Sequence, residues 1–457
     1  MTLSQHLSQF ITTTTFSDLP AQVISRAKIH LLDTLGVALA GSVQQSAIQG
    51  RQGIAFLPDS QGDIPIWGSA LTASTTIAAL ANGIAAHALD FDDTHTDSIA
   101  HGSAVLTPTA FALGESIGAS TEEILTAWIV GWEVAARVGL ASHSGFHQRG
   151  FHATAIAGIF GATACAASLL KLTADQTTNA LGLTGSQAGG VAEYLTNSSS
   201  SKCFHAGWAA QSGIIAASLA KGGMTGPETI FEGRYSLYHT HGIKAQAQPE
   251  QVALGLGDVW EFLNVSIKPY PVCHFAHATV DCGRSLLKQG ISADDIKSVE
   301  CVVDPVAAAL ICEPPETKWA PTTAYGAKFS LPWLFAAGFL DDELTLSSLL
   351  PENLQREDIQ TLAKKVSYRY PEKGEIPFPT YFPGLIFVTL NNGKQMTERL
   401  DIQYGNPKNP MTDADVVHKF YDNASLTIET QQAVKLVEKV LAFEKVTISE
   451  ITQLLLV

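Results

Sequence analysis

The stretch Ala85–Pro108, AAHALDFDDTHTDSIAHGSAVLTP, lies between two Ala-rich apolar runs, yet it carries Asp90, Asp92, Asp93, Thr94, His95, Thr96, Asp97, Ser98 and His101. Charged groups are costly to bury without partners, so packing alone does not account for this density of polar side chains in an apolar frame. The run before it predicts an Ala-rich helix from Thr72 to Asp90. Continued to Thr94, that helix would put His87, Asp90 and Thr94 at i, i+3 and i+7, on one face. A histidine, a carboxylate and a hydroxyl on one face at the end of an apolar helix read as a site. The competing reading is a solvated interhelical loop whose Asp and Thr residues serve as caps.

On the N-terminal side, Ala21 to Gly41 carries Val23, Ile24, Ala27, Leu31, Leu32 and Leu35 at helical spacing. On the C-terminal side, Pro108 is placed to open a helix that stops near Gly118. Ser120 with Glu123 and Thr173 with Gln176 form capping boxes. His152 to Leu170 and Ala206 to Lys221 are helices of small residues, which let backbones approach closely. Up to about Gly257 the chain reads as all-helical, with Trp67 in a turn-rich piece that is a brief strand or loop. Extended runs follow at 299–306, 366–370 and 385–390, the last leading into the hairpin signal Asn391-Asn392-Gly393-Lys394. Helical runs at 279–289 and 330–337 lie between them. After Asn409-Pro410 the helical pattern resumes, with Thr412, Ser425 or Thr427, and Thr447 with Glu450 as helix starts. The expected fold class is mainly α with an α+β insert. Residues 1–262 and 402–457 form a large all-helical domain from both chain ends, and residues 263–401 form a smaller α+β domain.

Bulk properties narrow the function. Of 457 residues, 46% are hydrophobic and only 16% charged, which suits closely packed helices and a subunit interface. A net charge of −15 argues against nucleic acid as a partner. It does not exclude a small anion held by a few cations in a pocket. No apolar run reaches the length of a membrane span, and MTLSQHLSQFITTTTF lacks the pattern of a secretory leader. Six scattered cysteines without a CxxC argue against a zinc ribbon or an iron–sulfur motif and fit a reducing cytoplasm.

Three further segments set polar groups among small apolar ones. His152 stands at the head of its helix, where the helix dipole favours anions and a neutral imidazole. Thr196-Asn197-Ser198-Ser199-Ser200-Ser201-Lys202-Cys203-Phe204-His205 brings Lys202 and His205 to another helix entry. Ile267 to His277 carries Lys268 and His277 at the expected domain boundary, where ligand sites are favoured. Each has a bland reading: a polar helix start, a flexible Ser-rich loop and an interdomain connector, respectively. Asp90-x-Asp92-Asp93-x-His95 matches neither EF-hand nor HExxH spacing. Lys and His groups binding a polycarboxylate fit the number of cations better than a metal does.

Four motifs, ALDFDDTHTDSIAHGSAVLTP, RGFHATAIAGIFGATACAA, SSSSKCFHAGWAAQSG and KPYPVCHFAHATVD, occur in that order along the chain. Together they resemble the MmgE/PrpD family over nearly its whole length. The resemblance implies an all-helical domain built from both chain ends, an inserted α+β lid domain and a homodimer. It implies a cofactor-independent lyase acting on a small di- or tricarboxylic acid. Dehydration of 2-methylcitrate or citrate and decarboxylation of cis-aconitate are the family's chemistries of that kind. Epimerisation of an acid such as iminodisuccinate, and an inactive carboxylate-binding dimer, are the alternatives. It assigns Asp90, Thr94, His101 and His152 to catalysis, with His101 as the proton-transfer group, and Lys202, Lys268 and His277 to substrate binding. Asp90 is expected to orient an imidazole or bind a substrate hydroxyl; Lys202, Lys268 and the His152 helix start stabilise developing charge. Asp92, Asp93 and Asp97 are left as caps and solvated loop groups. Two departures stand out. His101 is followed by Gly102-Ser103 where relatives often have Pro, and Trp333 stands where they often have Tyr, which removes a hydroxyl expected in the pocket.

Overall fold

Small residues let the helices of the N-terminal part touch backbone to backbone. A methyl group placed on Gly83 would lie 2.6 Å from Cα of Gly207, and one on Gly131 would lie 2.9 Å from the carbonyl oxygen of Gly161. Only glycine fits at such crossings, because interiors are packed without spare volume. The computed structural model describes every residue except Asp59, Ser198 and Asp342, with Asn197 described by its backbone alone; Ser198 of the Ser-rich stretch therefore lies outside the described residues.

The chain divides into two compact units, Met1–Ile267 with Thr412–Val457, and Lys268–Met411. In the first unit the Thr121–Leu140 helix packs on Ala153–Leu169, which packs on Ser201–Lys221, which in turn packs on Thr75–Ala86. The returning helix Asp413–Ala424 lies against Ala21–Ser42, and Lys419 on it pairs with Asp33 at 2.7 Å while donating to the carbonyl of Phe91 at 3.0 Å. A second buried ion pair, Arg137 with Glu133, ties the 259–262 segment to the Thr121–Leu140 helix. Glu133 accepts from the backbone N–H groups of Glu261 (3.0 Å) and Phe262 (2.9 Å), and Arg137 donates to the carbonyl of Val259 (2.7 Å). Buried charges persist when hydrogen bonds satisfy them in this way. Among the described residues no helix is long and apolar enough to cross a membrane.

The second unit holds a four-stranded sheet ordered Val366–Arg369, Ile296–Val302, Gly384–Leu390, Gln395–Leu400. The first pair is parallel and the others antiparallel, and Asn391 to Lys394 makes the final hairpin. The His277–Lys288 helix covers Gly384–Leu390 and Gln395–Leu400, and Leu331–Leu340 packs on that helix. The expected fold class, mainly α with a small α+β part, is the observed one. Trp333 is fully buried in the core of this unit.

Several local expectations are corrected. The Ala-rich helix spans Thr75–Ala86 and does not run on to Asp90 or Thr94. His87 is its C-cap, and Asp90 turns the chain with φ 57, a left-handed conformation that Asp tolerates better than most residues. His87, Asp90 and Thr94 therefore do not share a helical face. Pro108 lies inside the Ser103–Ile117 helix instead of opening it. The N-terminal part is not purely helical: Ile64–Pro65 pairs with Thr72–Ala73, and Thr94–His95 pairs with Val265–Ser266. Neither Ser425 nor Thr427 starts a helix; Glu429 caps Thr430–Leu441. The capping boxes at Ser120, Thr173 and Thr447 are present, and Thr412 makes another with Asp415.

Candidate active site

The polar stretch leaves the Thr75–Ala86 helix and crosses the first unit as largely irregular backbone, tied down by the short pairing of Thr94–His95 with Val265–Ser266 and by a bridge from His95 to Ala100. Its aspartates are not solvated. Asp92 and Asp93 are both fully buried, which corrects their reading as caps and loop groups; Asp97 is exposed as expected. Asp92 Oδ2 lies 2.7 Å from Nδ1 of His87. Asp93 Oδ2 lies 2.7 Å from Nδ1 of His30 and accepts from the Ser103 hydroxyl at 2.5 Å. That hydroxyl itself accepts from the Trp132 indole N–H at 3.1 Å. Burial pushes the Asp93 carboxyl up to about 7, against the Ser103 hydrogen bond, and pushes His30 well below the usual histidine range.

His101 is held from several sides. Its Nδ1 is 2.9 Å from the backbone carbonyl of Asp93, 3.1 Å from Thr94 Oγ1 and 3.5 Å from Asp92 Oδ2, and its backbone N–H donates to Thr154 Oγ1 at 3.1 Å. A carbonyl only accepts, so Nδ1 carries the proton and Nε2 carries the lone pair. Thr154 belongs to the Ala153–Leu169 helix, whose N-cap is His152. The His152 ring stacks on His87 with centroids 5.4 Å apart, and its Nδ1 is 3.2 Å from Nδ1 of His205. One of those two nitrogens must donate and the other accept. Burial, reinforced by the neighbouring imidazoles and Lys202, holds His152 well below the ordinary value, and burial pushes His205 down to about 4. The main cause of the lowered His152 value is thus desolvation, where the sequence suggested the helix terminus.

Lys202 stands in the first turn of the Ser201–Lys221 helix, and its Nζ is 2.7 Å from Asp90 Oδ1. The Gly83–Gly207 crossing brings this helix against the one that ends just before Asp90. Burial alone would lower the Lys202 ammonium, but Asp90, Tyr194 and Asp92 beside it outweigh that and hold it above the usual lysine range.

Asp90, Thr94, His101, His152 and Lys202 therefore all lie in the first unit, in three hydrogen-bonded sets: Thr94 with His101, His152 with His205, and Asp90 with Lys202. Lys268 and His277 belong to the second unit. There Lys268 is buried, and His277 Nε2 donates to the carbonyl of Val272 at 3.1 Å. His30, Ser103 and Tyr194 are not singled out by the sequence; Asp92 and Asp93 are read there as caps and loop groups, and His87 only as part of a helical face that the structure does not form. His30 and Asp33 carry a faint signal, as ionisable residues beside the apolar run of the second half of the Ala21–Ser42 helix. Among the described residues no group of three or more His, Cys, Asp or Glu side chains is arranged to hold a metal ion. The chemistry the first-unit residues can perform is proton transfer at an imidazole with a fixed tautomer, beside an ammonium able to bind an anion.

The chain is similar to known proteins over most of its length. Residues 5–250 match the MmgE/PrpD N-terminal domain and residues 270–442 the MmgE/PrpD C-terminal domain. A cis-aconitate decarboxylase-like protein, oryM, of Aspergillus oryzae is 27% identical over 99% of this chain and 96% of its own length. Cis-aconitate decarboxylase of Aspergillus terreus is 25% identical over 96% of this chain and 92% of its own. The Homo sapiens enzyme of that name is 27% identical over 88% and 84%. With both domains matched in order across most of its length, the chain belongs to the MmgE/PrpD family.

Proposed function

We propose that this protein is a cofactor-independent lyase of a small di- or tricarboxylic acid, working by proton transfer at a carbon next to a carboxylate. The observation that carries this reading is the His101 ring, its Nδ1 against the Asp93 carbonyl at 2.9 Å, together with the part-buried Asp90–Lys202 pair of the same unit. An imidazole fixed in that tautomer takes or gives a proton at Nε2 near neutral pH. Lys202 binds a substrate carboxylate and offsets the charge that develops next to it. Asp90 sets the position of that ammonium, and Thr94 and His152 line the proton-transfer wall.

Within the lyase class, the relatives named cis-aconitate decarboxylase favour decarboxylation. The bond from carbon to one carboxylate breaks and CO2 leaves. The electron pair stays on the allylic carbons, and a proton delivered by the His101 imidazolium completes the new C–H bond. In the dehydratase variant His101 removes the proton, and hydroxide leaves with a proton from an acid. Lys268 and His277 are proposed substrate-binding groups on the strength of the KPYPVCHFAHATVD motif. A homodimer working in a reducing cytoplasm completes the proposal.

The test is incubation of the purified protein with cis-aconitate, citrate, 2-methylcitrate and iminodisuccinate in deuterium oxide, followed by mass spectrometry and proton NMR. The expected result is loss of CO2 with one deuteron incorporated, or reversible loss of water. Exchange with inversion and no alkene would make the protein an epimerase. Carboxylate binding without any turnover would make it an inactive binding protein. With the fold intact, His101→Ala should abolish turnover and Lys202→Ala should lower it by roughly 100- to 1,000-fold.

A further inference from the structure

Asp92 presents one carboxylate oxygen to two imidazoles. Its Oδ2 is 2.7 Å from Nδ1 of His87 and 3.5 Å from Nδ1 of His101. At the shorter distance the carboxylate accepts the His87 Nδ1–H in a charge-assisted hydrogen bond. At the longer one it lies within the range where an opposite charge favours an imidazolium. The two rings are 5.2 Å apart, so one carboxylate can offset a positive charge on only one of them at a time.

The surroundings decide which ring takes it. A second proton on His87 would sit on Nε2, a buried atom with no hydrogen-bond partner, and a stranded N–H there is costly. His101 keeps 12% of its side chain exposed, and its Nδ1 also faces the Asp93 carbonyl and Thr94. Of the other titratable groups, His152 interacts electrostatically with His101 and Asp93 meets it through its backbone carbonyl, while Lys202, paired with Asp90, interacts with Asp92.

We propose that Asp92 is the counter-charge that stabilises an imidazolium at His101, and that His87 is a positioning residue that holds Asp92 in place. The claim rests on the proposed lyase only for its effect on turnover; the electrostatic coupling can be read without substrate. Asp92 acts through His101, and His87 acts through Asp92.

The experiment is a pH titration of the full-length protein by NMR of nitrogen-15-labelled histidine rings, beside steady-state kinetics, for wild type, Asp92→Asn, His87→Asn and His87→Leu. His101→Gln assigns the His101 signal. Asp92→Asn should lower the His101 midpoint by about one pH unit or more. It should reduce kcat by roughly 1,000-fold, with KM within about threefold of wild type and, for decarboxylation, the alkaline limb of the kcat profile, where the His101 imidazolium is lost, moved to lower pH by the same amount. Asn at position 87 keeps an N–H where Nδ1 was, so His87→Asn should hold the His101 midpoint and His87→Leu should lower it. A His101 midpoint within about 0.3 unit of wild type in Asp92→Asn overturns the proposal. So does equal damage from His87→Asn and His87→Leu, which would make His87 itself the proton carrier. Should Asp92→Asn fail to fold, the wild-type titration decides, because protonation of His87 before His101 also overturns it. A shifted midpoint in a protein that turns over no acid would defeat the lyase reading and leave this one standing.

Discussion

Lys202 Nζ lies 2.7 Å from Asp90 Oδ1, although the two residues are 112 positions apart in the chain. Both side chains are less than a fifth exposed, so the pair is screened far less than a surface ion pair. We predict that Lys202→Ala lowers kcat/KM by roughly 100- to 1,000-fold, the range for loss of one charge-stabilising donor. Asp90→Asn should cost less activity, because Asn tolerates the left-handed backbone at φ 57. Asp90→Val should lose about 1–2 kcal/mol of stability from that backbone alone. The sign of the pH effect follows from the raised Lys202 value. The pair's stabilisation is full below the unfolded lysine value of about 10.4 and is lost only as pH rises through the higher folded value. Thermal melts of wild type and Lys202→Met should therefore differ by a constant amount from pH 7 to pH 9.

A second prediction concerns how that distance is set. A methyl on Gly207 would lie 2.2 Å from the Leu80 carbonyl oxygen, and a backbone atom cannot rotate away as a side-chain tip can. Gly207→Ala should cost about 1–3 kcal/mol through overpacking. By pushing the Ser201–Lys221 helix off Thr75–Ala86 it should also reduce turnover. Ser218→Ala, on the same helix and away from this crossing, is the control. Denaturant melts and kcat/KM of both variants check it; a Gly207→Ala protein with wild-type stability and activity would show that the crossing does not hold the site.

What could be read in the sequence was local. The capping boxes at Ser120, Thr173 and Thr447 and the Asn392-Gly393 hairpin depend on neighbours three or fewer positions away, and all are present. The helical, mixed, helical order of the chain was legible from the change of hydrophobic period. The end of the Thr75–Ala86 helix was not, because nothing within it stops it; the chain turns where Asp90 meets Lys202. Nor were the fates of Asp92 and Asp93. A DFDD run looks solvated until its partners are known, and one partner, His30, comes from 63 positions upstream. The motif histidine His101 was singled out as a motif residue; the carbonyl, hydroxyl and carboxylate that set its tautomer became visible only in three dimensions.

Gly102 supplies a third prediction. Its backbone is ordinary, with φ −73 and ψ −37, so glycine is not required there by conformation. It is required by space: a methyl would lie 2.6 Å from the Trp132 ring. Trp132 donates to Ser103, and Ser103 donates to Asp93, whose carbonyl holds His101. Gly102→Ala should therefore cost about 1–3 kcal/mol and reduce kcat more than it raises KM, because it disturbs the base and leaves Lys202 in place. Gly102→Ala combined with Trp132→Phe should recover part of the loss. Additive losses in that double mutant would break the proposed chain of contacts.

The last prediction is a pH dependence carried by His205, which is buried and pushed down to about 4 from the ordinary 6.5. Above pH 6.5 the ring is neutral in both folded and unfolded chains, and it adds no slope. Below that, the unfolded chain binds a proton that the folded chain refuses until about pH 4, so stability falls as pH falls through this window. Asp93, pushed up to about 7, runs the opposite way: the folded chain keeps a proton that the unfolded chain releases above the ordinary value of 3.8. Wild-type melts alone would mix these two slopes. The difference between wild type and His205→Gln isolates the first, since Gln does not titrate and leaves Asp93 in place. Relative to its value at pH 7.5, the wild-type stability should drop against His205→Gln by about 1–3 kcal/mol on reaching pH 4.5. The offset at pH 7.5 reports the lost hydrogen bond to His152 and is read separately. Parallel curves for the two proteins from pH 7.5 to pH 4.5 would mean that His205 takes up its proton in the folded state at an ordinary pH.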